Sequence, residues 1–266
     1  MNIKLKPIGI FDSGIGGLTV VREALEVFPN ENIIYFGDTA RVPYGSKSKS
    51  TIIKFSTENI LFLLKKKVKL VIVACNTSSS LAAEHLRSIF RIPIIGVVEA
   101  GVAMALKATK NKKIAVVGTV STIKSKSYEK ELLKKDSSVK LYSKSCPLFV
   151  PFVEEGILSG PLIDSVVEHY LKSFKGKAID TIILGCTHYP LINKAISKYL
   201  KGKAVIDSAR AVALYSKQVL AGNNLLNPQK RKGSIEIYVT DEPVGFDSFA
   251  GKFLKKKLKK PKVVTV

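Results

Sequence analysis

The chain has 266 residues, 46% of them hydrophobic, enough to bury one large core or two smaller ones. It contains no signal peptide and no uncharged apolar run of the roughly 18 residues needed to span a membrane, which excludes an integral helical membrane protein and predicts a soluble, cytoplasmic one. Lysine and arginine number 43 against 21 acidic residues, a formal charge of +22, but only six of the 43 are arginine, so the excess reads as solvated lysine faces that help gather an acidic small substrate, not as a specific nucleic-acid surface.

Apolar runs of strand length alternate with amphipathic runs of helical period. Strands are predicted at Ile8–Phe11, Ile33–Phe36, Leu70–Ala74 and Ile94–Val98, with helices at about Leu18–Val27, Ser50–Lys66 and beyond Ser80. A second series has strands at Ile114–Val117, Val139–Tyr142, Ile182–Leu184 and Val205–Ile206. This alternation implies an α/β fold of parallel sheets with helices on both faces. Two such series predict two pseudosymmetric lobes, each a mainly parallel sheet flanked by helices, with a cleft between their strand ends. Residues 1–98 and 209–266 are assigned to the first lobe and residues 99–208 to the second, because Ala209–Leu220 reads as a helix and Ile235–Val239 as a strand that returns to the first lobe. No low-complexity linker separates them, so short hinges are expected near Glu99–Val102 and Asp207–Ala209. The chain closes on a lysine-rich tail, Lys255 to Lys262.

Two cysteines occupy matching places in the two series, in Leu-Val-Ile-Val-Ala-Cys75-Asn76-Thr77 and Thr-Ile-Ile-Leu-Gly-Cys186-Thr187-His188. Each follows a buried-strand pattern and precedes a polar stretch suited to opening a helix. The carboxyl ends of parallel strands are where α/β proteins place their chemistry, and helix-end amides favour a thiolate, so each thiol is a candidate base. A single cysteine in this position is more often a small core residue; the pairing is what argues for function. A disulfide finds no oxidising context, and no Cys-x-x-Cys or His-x-x-x-His spacing supports zinc with His188 and Cys146, so no metal site is assigned.

Three further strand-end segments carry candidate ligand contacts. Asp12-Ser13-Gly14-Ile15-Gly16-Gly17 is a glycine-rich turn that lets backbone amides approach an anion, but it is neither a dinucleotide fingerprint nor a P-loop. Gly37 to Gly45 places Tyr44 beside a flexible glycine, and Asn76, Thr77, Thr187 and His188 add donors after both cysteines. Cys146 to Gly156 is an apolar, proline-bracketed loop whose Glu154 is suited to orienting a histidine.

Asp12 to Gly17, Pro43-Tyr44-Gly45, Ala74-Cys75-Asn76-Thr77, Val153-Glu154-Glu155-Gly156 and Gly185-Cys186-Thr187-His188-Tyr189-Pro190, in this order, closely resemble glutamate racemases. The resemblance runs from about Ile8 to Ser208. It implies a cofactor-independent isomerase that supplies D-glutamate for peptidoglycan, with Cys75 and Cys186 as the acid/base pair and Asp12, Glu154 and His188 assisting. It also implies substrate contacts at Asp12, Ser13, Tyr44, Gly45, Asn76, Thr77, Thr187 and His188, and it leaves room for a homodimer. The chemistry agrees: inverting an α-carbon needs a proton removed on one face and delivered on the other, with one thiolate and one thiol. An aspartate racemase of the same superfamily and a polyanion-binding protein on this fold are the competing readings.

Overall fold

A computed structural model describes residues 2–242, 246–254 and 260–266; residues 255–259 of the lysine-rich tail lie outside them. In chain order the strands are β1 (Ile8–Asp12), β2 (Ile33–Gly37), β3 (Leu70–Val73), β4 (Ile94–Gly96), β5 (Lys113–Gly118), β6 (Lys140–Ser145), β7 (Thr181–Gly185), β8 (Ala204–Asp207), β9 (Ile235–Val239) and β10 (Lys262–Val263). They form two sheets, β10-β9-β2-β1-β3-β4 and β6-β5-β7-β8, in which every pairing is parallel. β1, β3 and β7 are buried at every position, which is why they read as unbroken apolar runs. β6, at the edge, exposes Lys140 and Ser143 instead.

The first four strands of each series follow one order, second-first-third-fourth, so the two lobes are topological copies. In such an order the chain reverses between the first and third strands, and the crevice at their carboxyl ends is where ligands bind. Phe11 lies opposite Val73, so Asp12 and Cys75 leave the first sheet side by side. Gly118 lies opposite Gly185, so Thr119 and Cys186 do the same in the second. β9 pairs with β2, returning the end of the chain to the first sheet.

The helix Ser208–Gly222 packs on both Leu18–Val27 and Val97–Ala108 between the sheets. One apolar cluster runs from Ile10 and Ile72 through Val20, Ala100 and Val212 to Val117 and Leu184, joining the two sheets. Burial of this kind contributes about 25 cal/mol per Å² of apolar surface.

Several boundaries differ from the sequence reading. The fourth strand stops at Gly96, and the expected hinge at Glu99–Val102 lies inside the helix Val97–Ala108, whose Val98 amide donates to Ser79 Oγ at 3.2 Å. The helix expected beyond Ser80 is Ala83–Ile89, and the polar stretch after Cys75 opens a short helix of its own, Asn76–Leu81. The sixth strand begins at Lys140, one residue late. The apolar loop around Glu154 contains the helix Phe149–Glu154, because Phe149 and Val153, four residues apart, bury one face. At the second expected hinge Asp207 caps the helix Ser208–Gly222, accepting from Ala209 N at 2.8 Å.

At the amino ends of the first sheet's strands, Lys69 Nζ donates to Glu31 Oε2 (2.5 Å) and to the carbonyls of Lys4 (2.7 Å) and Leu225 (2.8 Å). Glu31 Oε1 accepts from Asn227 N at 2.7 Å, so this buried pair ties the segment after the helix Ser208–Gly222 to the sheet. Lys69→Met leaves Glu31 buried without its counter-charge and is expected to cost about 3–5 kcal/mol of stability in a urea titration. A midpoint equal to that of the unchanged chain would show that the pair does not hold this end together.

Candidate active site

β1 ends at Asp12, whose side chain is fully buried. Asp12 Oδ2 accepts from Gly14 N at 3.1 Å, while Oδ1 has no partner. Tyr35 Oη donates to the Gly14 carbonyl at 2.6 Å and holds the glycine turn in place. That turn is where the lobes meet. A Cβ on Gly16 would overlap Thr187 Oγ1 and lie 2.6 Å from His188 Cε1, so only glycine lets the Asp12 turn reach the Cys186 loop. Burial raises the Asp12 carboxyl above its ordinary range, against the opposing pull of His188 and the turn amides.

Cys75 is buried at the N-cap of the helix Asn76–Leu81, and its Sγ accepts from Ser78 N at 3.5 Å. The sequence reading expected helix amides to favour its thiolate. In the folded chain, burial and then the Asp12 charge push the thiol up to about 11, and the Ser13 and Ser78 contacts only partly offset them. Cys75 therefore rests as a thiol.

The second thiol sits differently. No α-helix begins at Cys186; a 3-10 turn, Tyr189–Ile192, and the helix Asn193–Tyr199 come only later. Its polar neighbour is His188, with Nδ1 3.8 Å from Cys186 Sγ and Nε2 3.1 Å from Glu154 Oε1. The expected orienting role of Glu154 thus has a geometry: carboxylate, imidazole and thiol in line. Burial opposes the imidazolium, but the bonds to Cys186 and Glu154 outweigh it and bring His188 up to about 10.

A test follows from the sign of that shift. His188 lies above its ordinary 6.5 when folded, so the stability it adds is fully present below that pH and is lost as pH rises through about 10. The stability difference between the unchanged chain and Glu154→Gln is expected to be largest in the acid part of this range and to shrink towards pH 10. A difference that widens with pH would contradict the charged pair.

Other expected contacts are distributed across both lobes. Tyr44 is buried, and its hydroxyl is committed inside the first lobe, donating to Asp38 Oδ2 and accepting from Asn59 Nδ2 at 3.3 Å. Burial and then Asp38 push this phenol up, so it stays protonated. Its neighbour Gly45 faces the other lobe, where its carbonyl accepts from Ser121 Oγ at 2.7 Å. Thr77 Oγ1 lies 3.1 Å from Thr119 Oγ1, which donates to Thr122 Oγ1 at 3.0 Å. The Thr187 carbonyl accepts from Thr19 Oγ1 at 3.1 Å.

Asp38, Thr119, Thr122 and Tyr128 were not singled out in the sequence. Thr119 follows β5 as Ser13 follows β1, so the internal repeat was the signal available for it. All three cysteines are free, and among the described residues no three His, Cys, Asp or Glu side chains converge as metal ligands. Among those residues, too, no helix is long and apolar enough to cross a membrane.

The Asp/Glu/hydantoin racemase family matches residues 18–215. The glutamate racemase of Aquifex aeolicus is 51% identical over 234 residues, 88% of each chain. The glutamate racemase of Francisella tularensis, solved in complex with D-glutamate, superposes with a TM-score of 0.92 at 41% identity over 98% of both chains. That of Thermus thermophilus, solved with β-chloro-D-alanine, gives a TM-score of 0.90 at 38% identity over 99% of this chain and 98% of its own. A family match over most of the length, with relatives that align nearly end to end, agrees with the paired strand-end thiols: the chain belongs to the Asp/Glu/hydantoin racemase family.

Proposed function

We propose that this chain is a cofactor-independent glutamate racemase in which Cys75 and Cys186 work on opposite faces of the α-carbon. The observation that carries the reading is the pair of buried thiols at the switch points of two topologically matched sheets, each beside its own proton-carrying group. Cys75 takes the α-proton of D-glutamate, and Cys186 that of L-glutamate. In each direction a thiolate removes the proton, the electron pair rests on the α-carbon and its carboxylate, and the opposite thiol returns a proton to the other face. Asp12, beside Cys75, and His188, held by Glu154 beside Cys186, move charge to and from the thiols. The substrate is held by Ser13, Asn76, Thr77 and Thr187 and by the main chain at Tyr44 and Gly45, since the Tyr44 hydroxyl is committed to Asp38. Donors fixed around a water-poor site stabilise the developing carbanion without reorganising.

The two lobes are proposed to be residues 1–98 with 209–266 and residues 99–208, so each contributes one thiol and the substrate lies between them. The product serves the cytoplasmic synthesis of peptidoglycan. Purified protein without added cofactor, given L-glutamate and L-aspartate in parallel and read by chiral separation, is expected to invert glutamate. Faster inversion of aspartate would overturn the substrate assignment, and inversion of neither would overturn the reaction.

A further inference from the structure

The helix that follows Cys75 is clasped by a segment of the other lobe. Thr77 meets Thr119, Ser80 accepts from Ser127 Oγ at 2.8 Å, and Asn76 Oδ1 accepts from Tyr128 Oη at 2.7 Å. The last of these bonds has a consequence for the site. Asn76 is 2% exposed, yet its Nδ2 has no partner, which in a buried amide is rare. We propose that Tyr128 is a positioning residue: it occupies the carbonyl of Asn76 and thereby leaves the NH2 as the free donor for a substrate carboxylate.

The hydrogen-bond balance supports this orientation. As found, the phenol proton and the amide oxygen are both used and only the NH2 waits. Turned over, the amide would bond through nitrogen and leave both the carbonyl oxygen and the phenol proton unpaired, two losses in place of one. The phenol keeps its proton to donate, because burial, then Glu99 and Cys186, raise it above its ordinary range. The ring is held as well. A Cβ on Gly185 would lie 2.7 Å from the Val117 carbonyl and 3.3 Å from Tyr128 Cε2, so the ring packs against the strand that leads to Cys186. Tyr128 thus lies against the Cys186 strand and sets a contact beside Cys75.

The inference rests on the racemase reading above, and its test separates the two. Tyr128→Phe removes one oxygen and frees the amide to turn its carbonyl towards an anion. KM for both enantiomers is expected to rise about tenfold, the loss typical of a hydrogen bond to a charged group, with kcat near that of the unchanged chain. In an Asn76→Ala background the same change should add nothing, since Tyr128 acts through Asn76. Ser127→Ala, which breaks a neighbouring bond of the same clasp, should leave KM unchanged. A fall in kcat at constant KM, or additive effects in the cycle, would overturn the proposal.

Should Tyr128→Phe fail to fold, Asn76→Asp carries the test. It keeps an acceptor for Tyr128 and replaces the free NH2 with oxygen, so KM is expected to rise at least as much, and an unchanged KM overturns the proposal. In the substrate-free protein, the Asn76 side-chain amide signals, assigned by their loss in Asn76→Ala, should shift in Tyr128→Phe. That shift without any glutamate inversion would uphold the Tyr128 bond and sink the racemase reading. No shift would overturn the bond itself, whatever the reaction.

Discussion

Cys75→Ser and Cys186→Ser are each expected to fold normally and to lose racemisation by on the order of 10²–10⁴-fold, the range that a positioned acid or base contributes. A hydroxyl has nearly the volume of a thiol, so neither substitution leaves a large cavity in the core that surrounds both sites. It is a much weaker acid, so at neutral pH it supplies almost no anion to take an α-proton. The two positions should also fail in different ways. Cys75 rests as a thiol pushed up to about 11 by burial and the Asp12 charge, whereas Cys186 sits beside an imidazole that Glu154 holds protonated. Cys146 provides the control. It is buried just past β6, the edge strand of the second sheet, and the one hydrogen bond of its Sγ is to the Lys144 carbonyl at 3.7 Å. Cys146→Ser should therefore retain turnover. Near-normal racemisation by Cys75→Ser or by Cys186→Ser would remove that residue from the acid/base pair.

The second large effect is one of direction, read in heavy water. Two thiols on opposite faces predict that the first product molecules carry solvent deuterium at the α-carbon, because the delivering thiol has exchanged with solvent, while recovered substrate stays largely unlabelled. A single base would return the abstracted proton to product part of the time and wash label into substrate at a comparable rate. The asymmetry should hold from either enantiomer, with the roles of Cys75 and Cys186 exchanged. Equal early labelling of substrate and product, from both starting enantiomers, would rule out the two-thiol assignment even if both cysteines proved essential.

Much of the frame that carries this chemistry was legible in the residues. The helix Leu18–Val27 and the strand Ile235–Val239 were placed residue for residue, because their signals are local: an amphipathic period in one, an isolated β-branched run in the other. Boundaries slipped where a distant side chain decided them. The expected Glu99–Val102 hinge is helical because Ser79, on another element, satisfies the Val98 amide. Glu154 sits in a helix turn instead of a loop for a similar reason, since Phe149 and Val153 bury their shared face against the rest of the lobe.

The sequence by itself determined the α/β class, the duplicated series and the two strand-end cysteines, because strand burial, helical period and glycine turns are written over a few neighbouring residues. Only the tertiary structure decided what each thiol faces. Cys75 lies under the Asp12 turn and stays protonated, in place of the helix-stabilised thiolate the local pattern suggested, since desolvation depends on everything packed around a group. Tyr44 spends its hydroxyl on Asp38, and Asn76 meets Tyr128 from 52 residues away. His188 reaches Glu154 across 34 residues. Contacts made across 34 or 52 residues leave no periodic trace along the chain, and the Asn76–Tyr128 bond exists because two parallel sheets with the same strand order bring their carboxyl ends together.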